Sequence, residues 1–175
     1  VYTFAIDHLG LSPCTPVPNL PVTIETANGV PWSPKEAGKV EQNGEMHPLS
    51  WGLARSRNNY SAWIMKQAKQ PQAVANFIHN MGIHSYIDPV PALCLGTSES
   101  NVYEMVSAFS TFANEGVYTT PIFVTRIEDR QGNLIASFAP RTQDAISEHT
   151  AYTMLTMLEG VIRSGTGGRL GWAYN

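Results

Sequence analysis

Charged side chains are scarce in this chain, at 14% of 175 residues against 43% hydrophobic ones. A disordered chain has the reverse balance, so a packed core is the expectation. A basic excess is absent as well. The formal net charge of -3 leaves no broad cationic surface, which argues against nucleic acid as a partner. No apolar run approaches the ~20 residues of a membrane-spanning helix. No secretory signal pattern opens the chain. Cysteine is limited to Cys14 and Cys94, far apart and in no metal or CxxC spacing. They read as two separate small apolar residues, with a disulfide left open for an oxidising compartment. His-Glu-x-x-His is missing, and so is the Gly-x-Ser-x-Gly elbow of a hydrolase triad. Gly165-Thr166-Gly167-Gly168 is not followed by Lys-Ser/Thr, which excludes a phosphate-binding P-loop and leaves a flexible helix exit. No internal repeat is present. None of these patterns marks a metal or phosphate site.

What is present is one domain or a large piece of one. The run Val1-Tyr2-Thr3-Phe4-Ala5-Ile6 is apolar from its first residue and reads as a helix ending at Gly10. That opening, with the closing run Gly171 to Asn175, reads as a cut from a longer protein. Half of the twelve prolines lie in 13–34, so this stretch is extended and turned, with a short strand at Val22-Thr23-Ile24 and a tight turn at Asn28-Gly29. Residues 35–47 read as a surface loop. Glu25, Glu36, Glu41 and Glu45 sit in loop sequence and read as solvated.

The next stretch is helical. Tyr60, Trp63, Ile64 and Ala68 form an apolar stripe. Pro71 suits the first turn of the next helix, whose Val74, Phe77, Ile78 and Met81 repeat at helical spacing up to Gly82. His79 and His84 fall outside any ligand pattern and read as surface or cap residues. Residues 83–98 read as a loop. Asn101 with Glu104 makes a capping box, and Val102, Met105, Val106, Phe109, Phe112 and Ala113 share one face, read as core. Phe123 to Ile127 and Leu134 to Phe138 flank Asp129–Asn133 as a β-hairpin. Ser147 opens the last helix, with Ala151, Met154, Leu155, Leu158, Val161 and Ile162 on its buried face and Arg163 at its negative end.

The chemically suggestive stretch is Leu49 to Tyr60. A short apolar helix runs into Ser56-Arg57-Asn58, and a second helix takes over. Ser56 offers a hydroxyl that gives and takes a proton; Asn58 offers an amide with donors and an acceptor. Two apart at a helix junction, both can turn toward one cleft. Spacing alone leaves two readings open, a catalytic pair and a helix-junction cap.

The order of short motifs carries more. Pro31-Trp32-Ser33-Pro34, Ser56-Arg57-Asn58, Met81-Gly82-Ile83, Leu95-Gly96-Thr97-Ser98, Phe112 to Val117, Asp129 to Leu134, Glu159-Gly160-Val161 and Gly165-Thr166-Gly167 succeed one another. This series resembles the transpeptidase domain of class A penicillin-binding proteins, bifunctional enzymes that polymerise and cross-link peptidoglycan. The resemblance covers residues 1 to about 170. Of the signatures Ser-x-x-Lys, Ser-x-Asn and Lys-Thr-Gly, only Ser56-Arg57-Asn58 occurs here. Val1-Tyr2 resembles the residues directly after the family's Ser-x-x-Lys-Pro-Phe. The expectation is therefore a partial transpeptidase domain over 1–175, with the nucleophilic serine and its lysine before Val1 and the Lys-Thr-Gly strand after Asn175.

The resemblance implies an α+β, mostly helical piece of the penicillin-binding transpeptidase or β-lactamase-like fold, its helices packed on an antiparallel sheet that is incomplete here. It implies serine acyl transfer from D-Ala–D-Ala that requires no metal or organic cofactor, with Ser56 passing a proton between the lysine and the leaving nitrogen, and Asn58 holding the substrate amide and the lysine. Peptidoglycan stem peptides, β-lactams and the cell-wall synthesis machinery are the implied partners, with no nucleic acid. The implied place is the extracytoplasmic, periplasmic face of the bacterial inner membrane, anchored by an N-terminal segment. The piece alone is expected to be inactive and prone to self-association. Two other classes stay open: a non-catalytic helical interaction module, and a related serine β-lactamase or D,D-carboxypeptidase.

Overall fold

The computed structural model describes residues 1–26 and 28–173; Tyr174 and Asn175, the end of the closing run, lie outside the described residues. The order is α1 (Tyr2–Asp7), β1 (Pro16–Pro18), β2 (Met46–Pro48), α2 (Leu49–Ala54), α3 (Asn58–Ala68) and α4 (Pro71–Asn80). A 3-10 turn (Pro91–Leu95), α5 (Val102–Ala113), β3 (Val117–Thr119), β4 (Arg126–Glu128), β5 (Leu134–Ser137), β6 (Thr142–Asp144), α6 (Glu148–Ser164) and α7 (Gly168–Ala173) complete it. No helix among the described residues is long and apolar enough to cross a membrane.

The core is helical. α3 is its middle layer, with Tyr60, Ala62 and Ile64 fully buried, and it packs on α1, α2, α4 and the 3-10 turn. α6 lies along α1, α2 and α5, burying Ala151, Met154 and Met157. From α1, Phe4 meets Phe77 of α4 edge-on at 5.6 Å between ring centres. The two ends of the core are joined by Asp7. Its carboxylate accepts from the Thr150 hydroxyl at 2.8 Å and the Ser147 amide at 3.3 Å. It thus adds a negative charge at the N-terminus of α6, where the helix dipole favours one. Ser147 caps that helix through Thr150 N–H, as the sequence predicts.

The strands make three separate antiparallel pairs, β1–β2, β3–β6 and β4–β5, so the sheet expected under the helices is represented only by short ribbons. The strand expected at Val22–Ile24 is reduced to a bridge between Ile24 and Trp32. The paired strand in this region is β1 instead, where Pro16 and Pro18 flank the buried Val17 on an edge that needs no proline N–H. Residues 35–47 are not wholly loop, because Met46 and His47 pair with it. The hairpin at Asp129 forms as predicted, with strands shorter than expected. Its loop is tied by Asp129, which accepts from the Gln131 and Asn133 amides. No sequence pattern hints that β3 and β6 would zip together beneath it.

Two helix faces depart from expectation. The capping box of Asn101 and Glu104 forms. Yet α5 buries Glu104, Ser107, Ala108, Thr111 and Phe112, while Val102, Met105, Val106 and Phe109 are exposed. On α6, Leu155 is exposed and Leu158, Val161 and Ile162 are half-buried. The 165–168 stretch is not a free exit. Thr166 N–H donates to the Ala54 carbonyl at 3.0 Å, and a Cβ at Gly165 would collide with that same carbonyl. The end of α6 is thereby docked on the end of α2.

Candidate active site at the α2–α3 junction

Ser56 lies between α2 and α3, exposed, with a backbone φ of 52°. Serine is strained in this left-handed region because its Cβ crowds the backbone. Strain of this kind persists only where the surroundings impose it. The imposing contacts are visible. Ser56 N–H donates to the Leu53 carbonyl at 3.0 Å and Arg57 N–H to the Gly52 carbonyl at 2.9 Å, folding the chain back over the end of α2.

Arg57 then points inward and is buried. Its guanidinium donates to Asn19 Oδ1 at 3.0 Å and to the Glu41 carbonyl at 3.4 Å, and sits over the Trp51 ring at 5.3 Å. The cation is thus held by a neutral amide, a carbonyl and an aromatic face. Asn19 in turn donates to the Glu41 carbonyl at 2.9 Å. Asn59, also buried, accepts from Val22 N–H at 3.3 Å. The middle residue of the Ser-Arg-Asn step therefore anchors it, while the outer two face out.

Asn58 is the first residue of α3 and is half-buried. Its side-chain amide donates to the Lys35 carbonyl at 2.6 Å. Glu36, read as solvated from the sequence, is instead half-buried and caps α3. One carboxylate oxygen accepts from Asn58 N–H at 3.2 Å, the other from Asn59 N–H at 2.9 Å. Among the described residues the Ser56 hydroxyl has no hydrogen-bond partner, and the N-cap position of α3 belongs to Arg57, whose side chain makes no cap. The first-turn amides of α3 are met by Glu36 and not by the Ser56 hydroxyl. The sequence signals only that a cap is needed, not which residue makes it. A helix that starts without Ser, Thr, Asp or Asn at its N-cap needs an acceptor from elsewhere.

Tyr60 closes the site from below. It is fully buried, its hydroxyl donates to the Val17 carbonyl at 3.1 Å, and burial raises its pKa against the opposing pull of Arg57. The phenol therefore stays a neutral donor. A cavity of about 930 Å³ lies at the other end of α3 among Trp32, Met65, Lys66 and Lys69, and neither Ser56 nor Asn58 lines it. Nearer by, Trp51, Ala54 and Arg55 line a cavity of about 400 Å³ with Thr156 and Gly160 of α6.

Known proteins share this fold. Residues 92–174 match the model of the penicillin binding protein transpeptidase domain. Penicillin-binding protein 1B of Haemophilus influenzae is 28% identical over 152 residues, which is 87% of this chain and 19% of that protein. Among solved structures, penicillin-binding protein 1A from Haemophilus influenzae superposes with a TM-score of 0.79 at 20% identity, over 95% of this chain and 29% of that one. The D,D-transpeptidase domain of a peptidoglycan glycosyltransferase from Eggerthella lenta gives 0.72 at 20% identity, over 95% and 47%. The chain spans about a fifth of the length of the curated relatives it matches. Fold, relatives and family model agree in what the chain is similar to: the transpeptidase domain of penicillin-binding proteins, whose model matches residues 92–174.

Proposed function

We propose that this chain is the Ser-x-Asn part of a serine D,D-transpeptidase within a class A penicillin-binding protein, and that Ser56 and Asn58 serve its acyl transfer. In this reading the nucleophilic serine and its lysine belong to a Ser-x-x-Lys segment outside the chain, before Val1. The Lys-Thr-Gly strand lies beyond Asn175. The serine attacks the D-Ala–D-Ala carbonyl, D-alanine leaves, and an amine of a neighbouring stem peptide resolves the acyl-enzyme. Such covalent splitting needs a route for the proton that leaves the serine and must reach the departing nitrogen. Ser56 supplies that route through its hydroxyl. Asn58, with its amide held at Lys35, offers its oxygen to the substrate and the lysine. β-Lactams trap the first intermediate, and the 175-residue chain alone forms no acyl-enzyme. The protein works at the periplasmic face of the inner membrane, held by an N-terminal anchor beside the cell-wall synthesis machinery.

The observation that carries this reading is the left-handed Ser56 with its hydroxyl free of any cap, next to a tethered Asn58. A structural residue at that backbone angle is better served by glycine.

That contrast supplies the test. In the whole protein, Ser56→Gly removes the hydroxyl and relieves the strain. Acylation by a fluorescent penicillin is expected to slow by ~10²–10⁴-fold, the range for a proton-transfer group, while the melting temperature holds or rises. Asn58→Ala is expected to slow acylation through poorer placement of the substrate amide. Wild-type acylation in Ser56→Gly rejects the proposal.

A further inference from the structure

The tethers on Asn58 all come from one short segment. Lys35 and Glu36 are adjacent in the chain and 22 or more positions upstream of their partners. Lys35 takes the side-chain amide of Asn58 on its carbonyl; Glu36 takes the main-chain amides of Asn58 and Asn59 on its two carboxylate oxygens. With one oxygen on each amide, the carboxylate fixes both position and rotation of the first turn of α3. The Asn58 side chain is then set by a carbonyl one residue away from that carboxylate. Its Nδ2 is engaged, and among the described residues its Oδ1 has no hydrogen-bond partner.

The geometry points to Glu36 as the positioning residue of the Ser56–Asn58 step: it holds the start of α3, and through Lys35 the Asn58 amide, in the orientation that meets substrate. This rests on the reading of Ser56 and Asn58 given above. A loss of Glu36 removes neither functional group but frees the residue that carries one of them. Misplacement on the scale of an ångström costs on the order of 10²-fold in rate.

Two measurements test it. In the whole protein, Glu36→Ala is expected to slow penicillin acylation about ten- to a hundredfold. Glu36→Gln, which keeps one acceptor oxygen, falls between. In an Asn58→Ala background, Glu36→Ala is expected to add almost nothing, because its effect runs through Asn58. A merely structural role gives instead the same factor in both backgrounds, and that result overturns the inference. In the 175-residue chain itself, amide hydrogen exchange at Asn58 and Asn59 is expected to speed up in Glu36→Ala; unchanged protection overturns the clamp whatever the kinetics give. Full-rate acylation in Asn58→Ala alone sinks the reading beneath, and the inference with it. Slowing in Asn58→Ala without slowing in Glu36→Ala sinks only the inference.

Discussion

Gly52 sits where α2 passes against the Tyr60 ring, and a Cβ there would overlap the ring carbons. The ring has nowhere to go, being fully buried with its hydroxyl tied to Val17. Gly52→Ala gains about 1 kcal/mol of helix propensity and costs ~1–3 kcal/mol or more in overpacking. The melting temperature is therefore expected to fall, by about 2–4 °C for each net kcal/mol lost in a chain of this size. A melt at or above wild type shows that Tyr60 can swing aside. Ser56 is legible as a candidate because serine and asparagine carry chemistry wherever they stand. Its backbone angle is not, since αL is imposed by hydrogen bonds to Gly52 and Leu53 that only the fold creates. The cap made by Glu36 is hidden for a related reason: its partners lie 22 and 23 positions away.

At the scale of elements, helix ends are readable and helix faces less so. Gly10, Gly82, Ser147 and the box of Asn101 with Glu104 act locally, and local chemistry is written in sequence. The face a helix buries depends on what lies across from it. On α5 the polar side goes inward because its groups satisfy themselves: Ser107 and Thr111 hydroxyls donate to carbonyls one turn back at 2.9 and 3.2 Å. Glu104 accepts from the Ser85 hydroxyl at 2.6 Å and from the amides of His84 and Ser85. The Ser85 hydroxyl, helped by those amides, holds the Glu104 carboxyl below its ordinary value of 4.5 against the effect of burial. A carboxyl lowered in the folded state stabilises fully above that ordinary value, and its contribution is lost as pH falls through the lowered one. Wild type is thus expected to lose stability below about pH 4.5 more steeply than Glu104→Gln, which has nothing to titrate there. Melting temperatures of both from pH 7 to pH 3 check this. A gap between them that stays constant with pH argues against a charge-dependent latch at the start of α5.

At the scale of the whole molecule, the inverted α5 leaves an apolar surface that the sequence pattern assigns to the core. Val102 is 80% exposed, Val106 57% and Phe109 52%. The surface continues onto the hairpin through Tyr103, whose ring lies 5.9 Å from that of Phe123, itself 87% exposed. On β5 Leu134 and Ile135 are exposed as well. Single exposed apolar residues are ordinary, but a joined patch of this kind on a monomer is not. Every described strand also sits in a two-stranded pair, so each keeps an unpaired edge open to another chain. The 175-residue chain on its own is therefore expected to associate, with a mass by static light scattering that rises with concentration. Placing charge on the patch with Val106→Glu and Phe109→Glu together is expected to return the mass toward that of a monomer. Both side chains are more than half exposed, so the thermal melt measured at low concentration is expected to stay close to wild type. A wild-type chain that scatters as a monomer at every concentration contradicts the expectation. So does association that survives both charges, which would assign it to the strand edges rather than to the face of α5.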